Sequence, residues 1–140
     1  MVRIEGEIVR GYGWATRYLK IQIPLIAKQF PEIEVCHRGS INVLLDTPLR
    51  IDRPDFVTRR IDWGKMKEVF HFTRIEFELI GGRARARRHR AWIYGPQNSP
   101  HRTNPFYIEV IAPKIALGRA RRCGIRIHRV GRRVPMTVIG

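Results

Sequence analysis

Residues 2–9 alternate, with Val2, Ile4, Gly6 and Ile8 on one side and Arg3, Glu5, Glu7 and Val9 on the other. That period of two is what a half-buried strand requires. After a glycine loop, Leu19, Ile21 and Ile23 alternate with Tyr18, Lys20 and Gln22 and predict a second strand. Pro24 has no N–H for a ladder, so it should end that strand or hold it at an edge. Leu25 to Phe30 then reads as a short helix, with Pro24 at its first turn and Pro31 beyond its end. Ile41 to Leu45 is a nearly continuous aliphatic run, suited to a central strand covered on both faces.

In the second half, Thr73, Ile75, Phe77 and Leu79 alternate with Arg74, Glu76 and Glu78, and the run stops at Gly81-Gly82, a hairpin-turn signal. The returning strand, Ala84 to Ile93, carries one charged face. The breakers from Gly95 to Pro100 predict a loop. Tyr107 to Ala112 reads as a strand, Pro113 to Leu117 as a short helix or turn, and Gly124–Val130 and Val134–Ile139 as closing strands. Residues 52–70 read as a long connection with some helix around Lys65 to Phe70. Several short strands and one or two brief helices predict an all-β (mainly β) single domain over residues 1–140, closed or partly closed as a barrel so that few edges remain.

Composition narrows the function classes. No apolar run approaches the roughly 18 residues that span a bilayer, and the N-terminus lacks the pattern of an export signal, so a cytoplasmic protein is expected. Cys36 and Cys123 have no CxxC or histidine-rich partner pattern and read as reduced thiols. The five histidines show no HExxH-like spacing, which leaves zinc hydrolysis unsupported, and no GxSxG or Cys–His constellation points to acyl transfer. Trp63, Trp92 and Phe77 lie in or beside apolar strand pattern and read as core.

The charge changes the picture more. Against 12 Asp and Glu stand 27 Lys and Arg, a formal +15, and such a field attracts nucleotides, nucleic acid or acidic surfaces without choosing among them.

Two segments carry candidate chemistry. Gly11-Tyr12-Gly13-Trp14-Ala15-Thr16 follows a strand, and its glycines permit a turn that exposes N–H groups to an anion; the same residues also suit a plain turn. The segment lacks the Lys-Ser/Thr ending of a P-loop and opens no obvious long helix, so neither Walker nor Rossmann binding is expected. In Arg38-Gly39-Ser40-Ile41-Asn42-Val43, Ser40 and Asn42 lie two apart, so in extended backbone their oxygens share a side and can share a hard cation with phosphate oxygens. Local hydrogen bonding in a turn also explains the same two residue types.

In one order, GYGWAT, RGSINVLLDTPL, LIGGR and IEVIAPKIAL resemble the motifs of the archaeal CTP-dependent riboflavin kinases over nearly the whole chain. The resemblance implies a six-stranded cradle-loop barrel and a Mg²⁺-dependent transfer of phosphate from CTP to riboflavin, giving FMN. It places nucleotide at Gly11, Tyr12, Gly13, Trp14, Ala15 and Thr16 and at Lys114, Ile115, Ala116 and Leu117, with Mg²⁺ at Ser40 and Asn42. It assigns flavin binding to Thr103 and Glu109, with His101 competing for the role of Thr103, and makes Glu109 the candidate to orient the riboflavin hydroxyl or take its proton. The chain departs from the family at Ala15, which replaces a glycine, at Arg38, which replaces a proline, and at Ser40, which replaces a threonine. It also carries Arg119-Ala120-Arg121-Arg122 where an acidic tail is usual.

Two alternatives stand beside a kinase. One is a barrel that binds nucleotide or flavin without turnover. The other is a nucleic-acid-binding barrel, since Arg83, Arg85, Arg87, Arg88 and Arg90 share one predicted strand and seven arginines lie between Arg119 and Arg133.

Overall fold

The computed structural model describes residues 2–9, 14–81, 87–97, 104–127 and 136–138. The fold is mainly β with one α-helix. Its strands are β1 (Val2–Val9), β2 (Ile41–Leu45), β3 (Leu49–Ile51), β4 (Phe56–Val57), β5 (Ile61–Asp62), β6 (Lys67–Glu68), β7 (Phe70–Ile80), β8 (Arg88–Pro96), β9 (Tyr107–Ile111), β10 (Arg122–Ile127) and β11 (Met136–Val138). The helix α1 (Trp14–Ile26) follows β1, and a 3-10 helix spans Pro31–Val35.

Six strands pair in the order β10-β1-β2-β9-β8-β7, and β7 pairs with β10 to close the ring. Every pairing is antiparallel, which an even number of strands permits without a mismatch at the seam. Closure pairs both edges of every ring strand, and β4 pairs with β7 at His71 and Phe72, on the edge of β7 that β10 occupies further along. Inside, Ile4 of β1, Val43 and Leu45 of β2, Ile75 and Phe77 of β7, Ile93 of β8, Val110 of β9 and Ile125 of β10 form one core. The period of two that predicted β1 and β7 is the alternation between this interior and the outer face.

A second core lies outside the ring. Leu19, Ile23 and Ile26 of α1 pack with Phe30 and Ile33 against Phe70 and Phe72 of β7 and Trp92 and Tyr94 of β8. Both faces of β8 are therefore covered, with Ala91 and Ile93 inward and Trp92 and Tyr94 outward. Glu32 fastens the two layers: its carboxylate accepts from Trp92 Nε1 at 2.6 Å and from Arg74 Nε at 2.7 Å.

The helix overturns the expectation of a strand at residues 18–23. Leu19 and Ile23 fit either period, but Gln22 is buried at 2% exposure while Ile21 is 48% exposed, which is the pattern of a helix face and not of a strand. Pro24 lies inside the helix on its exposed side instead of ending a strand. The short helix expected over Leu25–Phe30 is the end of α1 and a turn, in which Phe30 N–H donates to Ile26 O at 2.8 Å.

Other boundaries also move. No helix forms around Lys65–Phe70; β5 and β6 pair there, with Trp63 N–H donating to Met66 O at 3.1 Å. The β7–β8 hairpin forms, but Glu78 stands opposite Arg88, whereas a two-residue turn at Gly81-Gly82 would put Ile80 opposite Arg83. The connection is therefore longer than the Gly-Gly pair suggested, and residues 82–86 lie outside the described residues. Gly95 and Pro96 belong to β8 and not to the loop expected there. Gly95 also meets His71 across the ladder, since a Cβ on it would stand 2.0 Å from the His71 ring. β2 is central in the sheet, but Leu44 is exposed, so only one of its faces is covered. The 113–117 segment is irregular, with a turn closed by Ala120 N–H donating to Leu117 O at 3.0 Å. Cys36 and Cys123 are free and buried, and burial pushes both thiols up to about 12. Among the described residues no helix is long and apolar enough to cross a membrane.

Candidate functional site

The candidate residues converge on the outer face of β2 and β9, beside the start of α1. Asn42 on β2 is directly opposite Glu109 on β9, and Glu109 is directly opposite Tyr94 on β8. Residues opposed in an antiparallel ladder project to the same face with Cβ atoms about 5 Å apart, so the three form a row across three strands. The inward neighbours Val43, Ile108 and Val110 anchor this row on the ring core and fix its direction.

Burial dominates the electrostatics. Desolvation raises the Glu109 carboxyl to about 7, since burial penalises its charged form. The Tyr94 hydroxyl donates to Gln22 Oε1 of α1 and is itself held well above its usual range, first by burial and then by the charges of Glu109 and Glu68. Sequence reading missed both Gln22 and Tyr94. A lone amide on the apolar face of a helix is the signal for Gln22, and it becomes visible only when the period is read as 3.6.

The turn before β2 completes the geometry. His37 N–H donates to Ala112 O at 2.8 Å, which ties the turn to the end of β9. Arg38 donates to Cys36 O at 2.8 Å and to Glu34 O and Oε1 at 3.0 Å. It thereby stiffens the turn by hydrogen bonds. A Cβ on Gly39 would lie 3.4 Å from Thr16 Oγ1, so the first turn of α1 closes over this loop. Ser40 Oγ is buried and has no hydrogen-bond partner. A buried hydroxyl left in that state costs free energy unless a ligand or ion completes it.

The glycine segment opens directly into α1, a helix of 13 residues, contrary to the expectation of no helix there. Trp14, Ala15 and Thr16 form its first turn, and Thr16 is exposed. Gly11, Tyr12 and Gly13 lie outside the described residues, as do Thr103 and His101. Past the end of β9, Lys114 and Ala116 are exposed, while Ile115 packs against the ring core and so offers a ligand only its backbone. The structure thus brings together Thr16, Gly39, Ser40, Asn42 and Glu109.

Among the described residues no group of three or more His, Cys, Asp or Glu is placed to hold a metal ion. A cation at Ser40 and Asn42 would have to rest on neutral oxygens with a ligand's phosphates and water, a donor set that suits Mg²⁺. Ser40 Oγ, buried without a partner, fits that requirement. Compared with protein-family models and with curated proteins, the chain matches none, so its function rests on the residues of this site.

Proposed function

We propose that the chain is a phosphotransferase of the CTP-dependent riboflavin kinase type, built on a six-stranded cradle-loop barrel. In this reading it moves the terminal phosphoryl group of CTP to the riboflavin 5′-hydroxyl and gives FMN. The observation that carries the reading is Glu109 opposite Asn42, beside a Ser40 hydroxyl that is buried without a partner.

Ser40 Oγ and Asn42 Oδ1 would hold Mg²⁺, which neutralises phosphate charge when bound. The backbone of Gly11 to Thr16 would receive the phosphates, and the N-terminus of α1 directs N–H groups and a partial positive charge towards them. Lys114, exposed beyond β9, would add a cation for the phosphates. Thr103 and Glu109 would hold the flavin. As the riboflavin oxygen bonds to phosphorus, its proton passes to Glu109, the bond from phosphorus to the bridging oxygen breaks, and CDP leaves. A carboxylate that titrates at about 7 is matched to this proton transfer near neutral pH.

The test is direct. Incubation of the full chain with riboflavin, CTP and Mg²⁺ should give FMN by chromatography, with ATP a poorer donor. Absence of FMN from an otherwise folded protein that binds CTP and riboflavin would leave the non-catalytic reading instead.

A further inference from the structure

Among the described residues, several of the arginines that draw the eye in the sequence are paired with carboxylates. On the sheet, Arg88 faces Glu76 at 3.8 Å and Arg90 faces Glu32 at 3.9 Å, while Arg74 binds Glu32 and Arg3 binds Glu5 and Glu78. Arg122 is held by Asp46, with Nη1 donating to Oδ1 at 2.9 Å.

One group of cations without carboxylate partners among the described residues lies elsewhere. Lys20 and Lys28 are exposed on and just after α1, and Arg59 and Arg60 are exposed on the segment leading to β5. None of the four takes part in an ion pair. They belong to one surface because residues 56–65 run antiparallel alongside α1 and the turn that follows it. Phe30 stacks on Phe56 with centroids 4.4 Å apart, Gln29 Oε1 accepts from Arg59 N–H at 2.8 Å, and Tyr18 packs on Trp63 at 5.1 Å. At the far end Lys65 Nζ lies 4.5 Å over the Tyr18 ring, with Arg17 exposed one residue before it. The stripe from Arg17 to Lys28 extends roughly 16 Å at about 1.5 Å per residue. The carboxylate exposed on this segment, Asp62, is engaged by Gly64 N–H at 3.0 Å and stands opposite Lys67.

We propose that this face, the outer side of α1 with the 59–65 segment, binds the phosphate backbone of a single-stranded nucleic acid. The proposal goes beyond the kinase reading and does not depend on it. A membrane surface is disfavoured because an interfacial helix must bury its apolar side in lipid, and α1 has already spent Leu19, Ile23 and Ile26 on the sheet. Its outward side offers Ile21 among lysines. Phosphate tracking by unpaired Lys and Arg requires no such apolar side, and the Tyr18 ring under Lys65 supplies a half-exposed aromatic at one end.

The test compares two triple variants of equal charge in the full chain, with melting curves to verify folding. K28Q/R59Q/R60Q removes three cations of the patch, and R53Q/R119Q/R121Q removes three exposed cations elsewhere. The probe is a fluorescein-labelled single-stranded RNA of about 20 mixed nucleotides, followed by anisotropy across a salt series. The patch variant should bind at least about tenfold more weakly at 0.1 M salt, and its slope of log K against log salt should be shallower by about 2, as expected for three lost contacts to a single strand. The control variant should stay within about threefold of the parent. Equal loss in both variants would reduce the effect to net charge and overturn the assignment. Parent-like binding by the patch variant would also overturn it, as would a parent that binds phosphatidylserine vesicles but not RNA.

Discussion

Glu109 and Asn42 face each other across the β2–β9 ladder, 67 residues apart in the chain, so a carboxyl of raised pKa and a neutral oxygen donor share one surface. The pairing has a cost. A carboxyl that titrates at about 7 when folded, against 4.5 in its ordinary state, binds more protons in the folded protein than in the unfolded one.

Stability should therefore fall as pH rises between those two values. The contribution of Glu109 is fully present below its unfolded pKa and is lost by about pH 7, up to roughly 3 kcal/mol in all. Urea denaturation at pH 5 and pH 8 checks this. Glu109→Gln should remove that part of the decline and be the more stable protein at pH 8. In the kinase assay the same substitution should remove the rise of kcat/KM with pH near 7. A parent and variant with identical pH dependence would take the buried carboxyl out of the account.

Pro24 gives a second test, of the helix itself. Inside α1 it cannot donate to the carbonyl of Lys20, so Pro24→Ala should stabilise the fold by about 1 to 3 kcal/mol. Ile21→Lys should be close to neutral at 48% exposure, whereas Gln22→Leu should leave the Tyr94 hydroxyl without its acceptor and cost about 1 to 3 kcal/mol. Thermal or chemical melting separates the three. If Ile21→Lys were the damaging change, residues 18–23 would be behaving as a strand.

Strands β1 and β7 were legible because they alternate between an apolar core and a more polar side, and β2 was legible as a short aliphatic run. α1 was not, because Leu19 and Ile23 satisfy both periods, and the deciding pair runs against hydropathy, with the amide of Gln22 buried and Ile21 in solvent. The helix also depends on a sheet face made by Phe70, Phe72, Trp92 and Tyr94, which no local window contains. Site residues Ser40 and Asn42 could be picked out by type and spacing, but the position of Glu109 opposite Asn42 is a matter of long-range register. The arginines of β8 were visible in sequence as a charged face, and the glutamates that neutralise them, Glu32 and Glu76, come from other elements.

The most direct measurement of the central claim is calorimetric titration of CTP, with and without Mg²⁺, into the parent, Asn42→Ala and Ser40→Thr. Neutral oxygens hold Mg²⁺ weakly by themselves, so the metal should act on CTP affinity and show little binding alone. The parent should bind CTP more tightly with Mg²⁺ present, Ser40→Thr should keep that gain because the hydroxyl remains, and Asn42→Ala should lose it while its circular dichroism stays that of the parent. If Asn42→Ala takes up CTP with Mg²⁺ as the parent does, the metal is not at Ser40 and Asn42, and the phosphotransferase reading is contradicted at its centre.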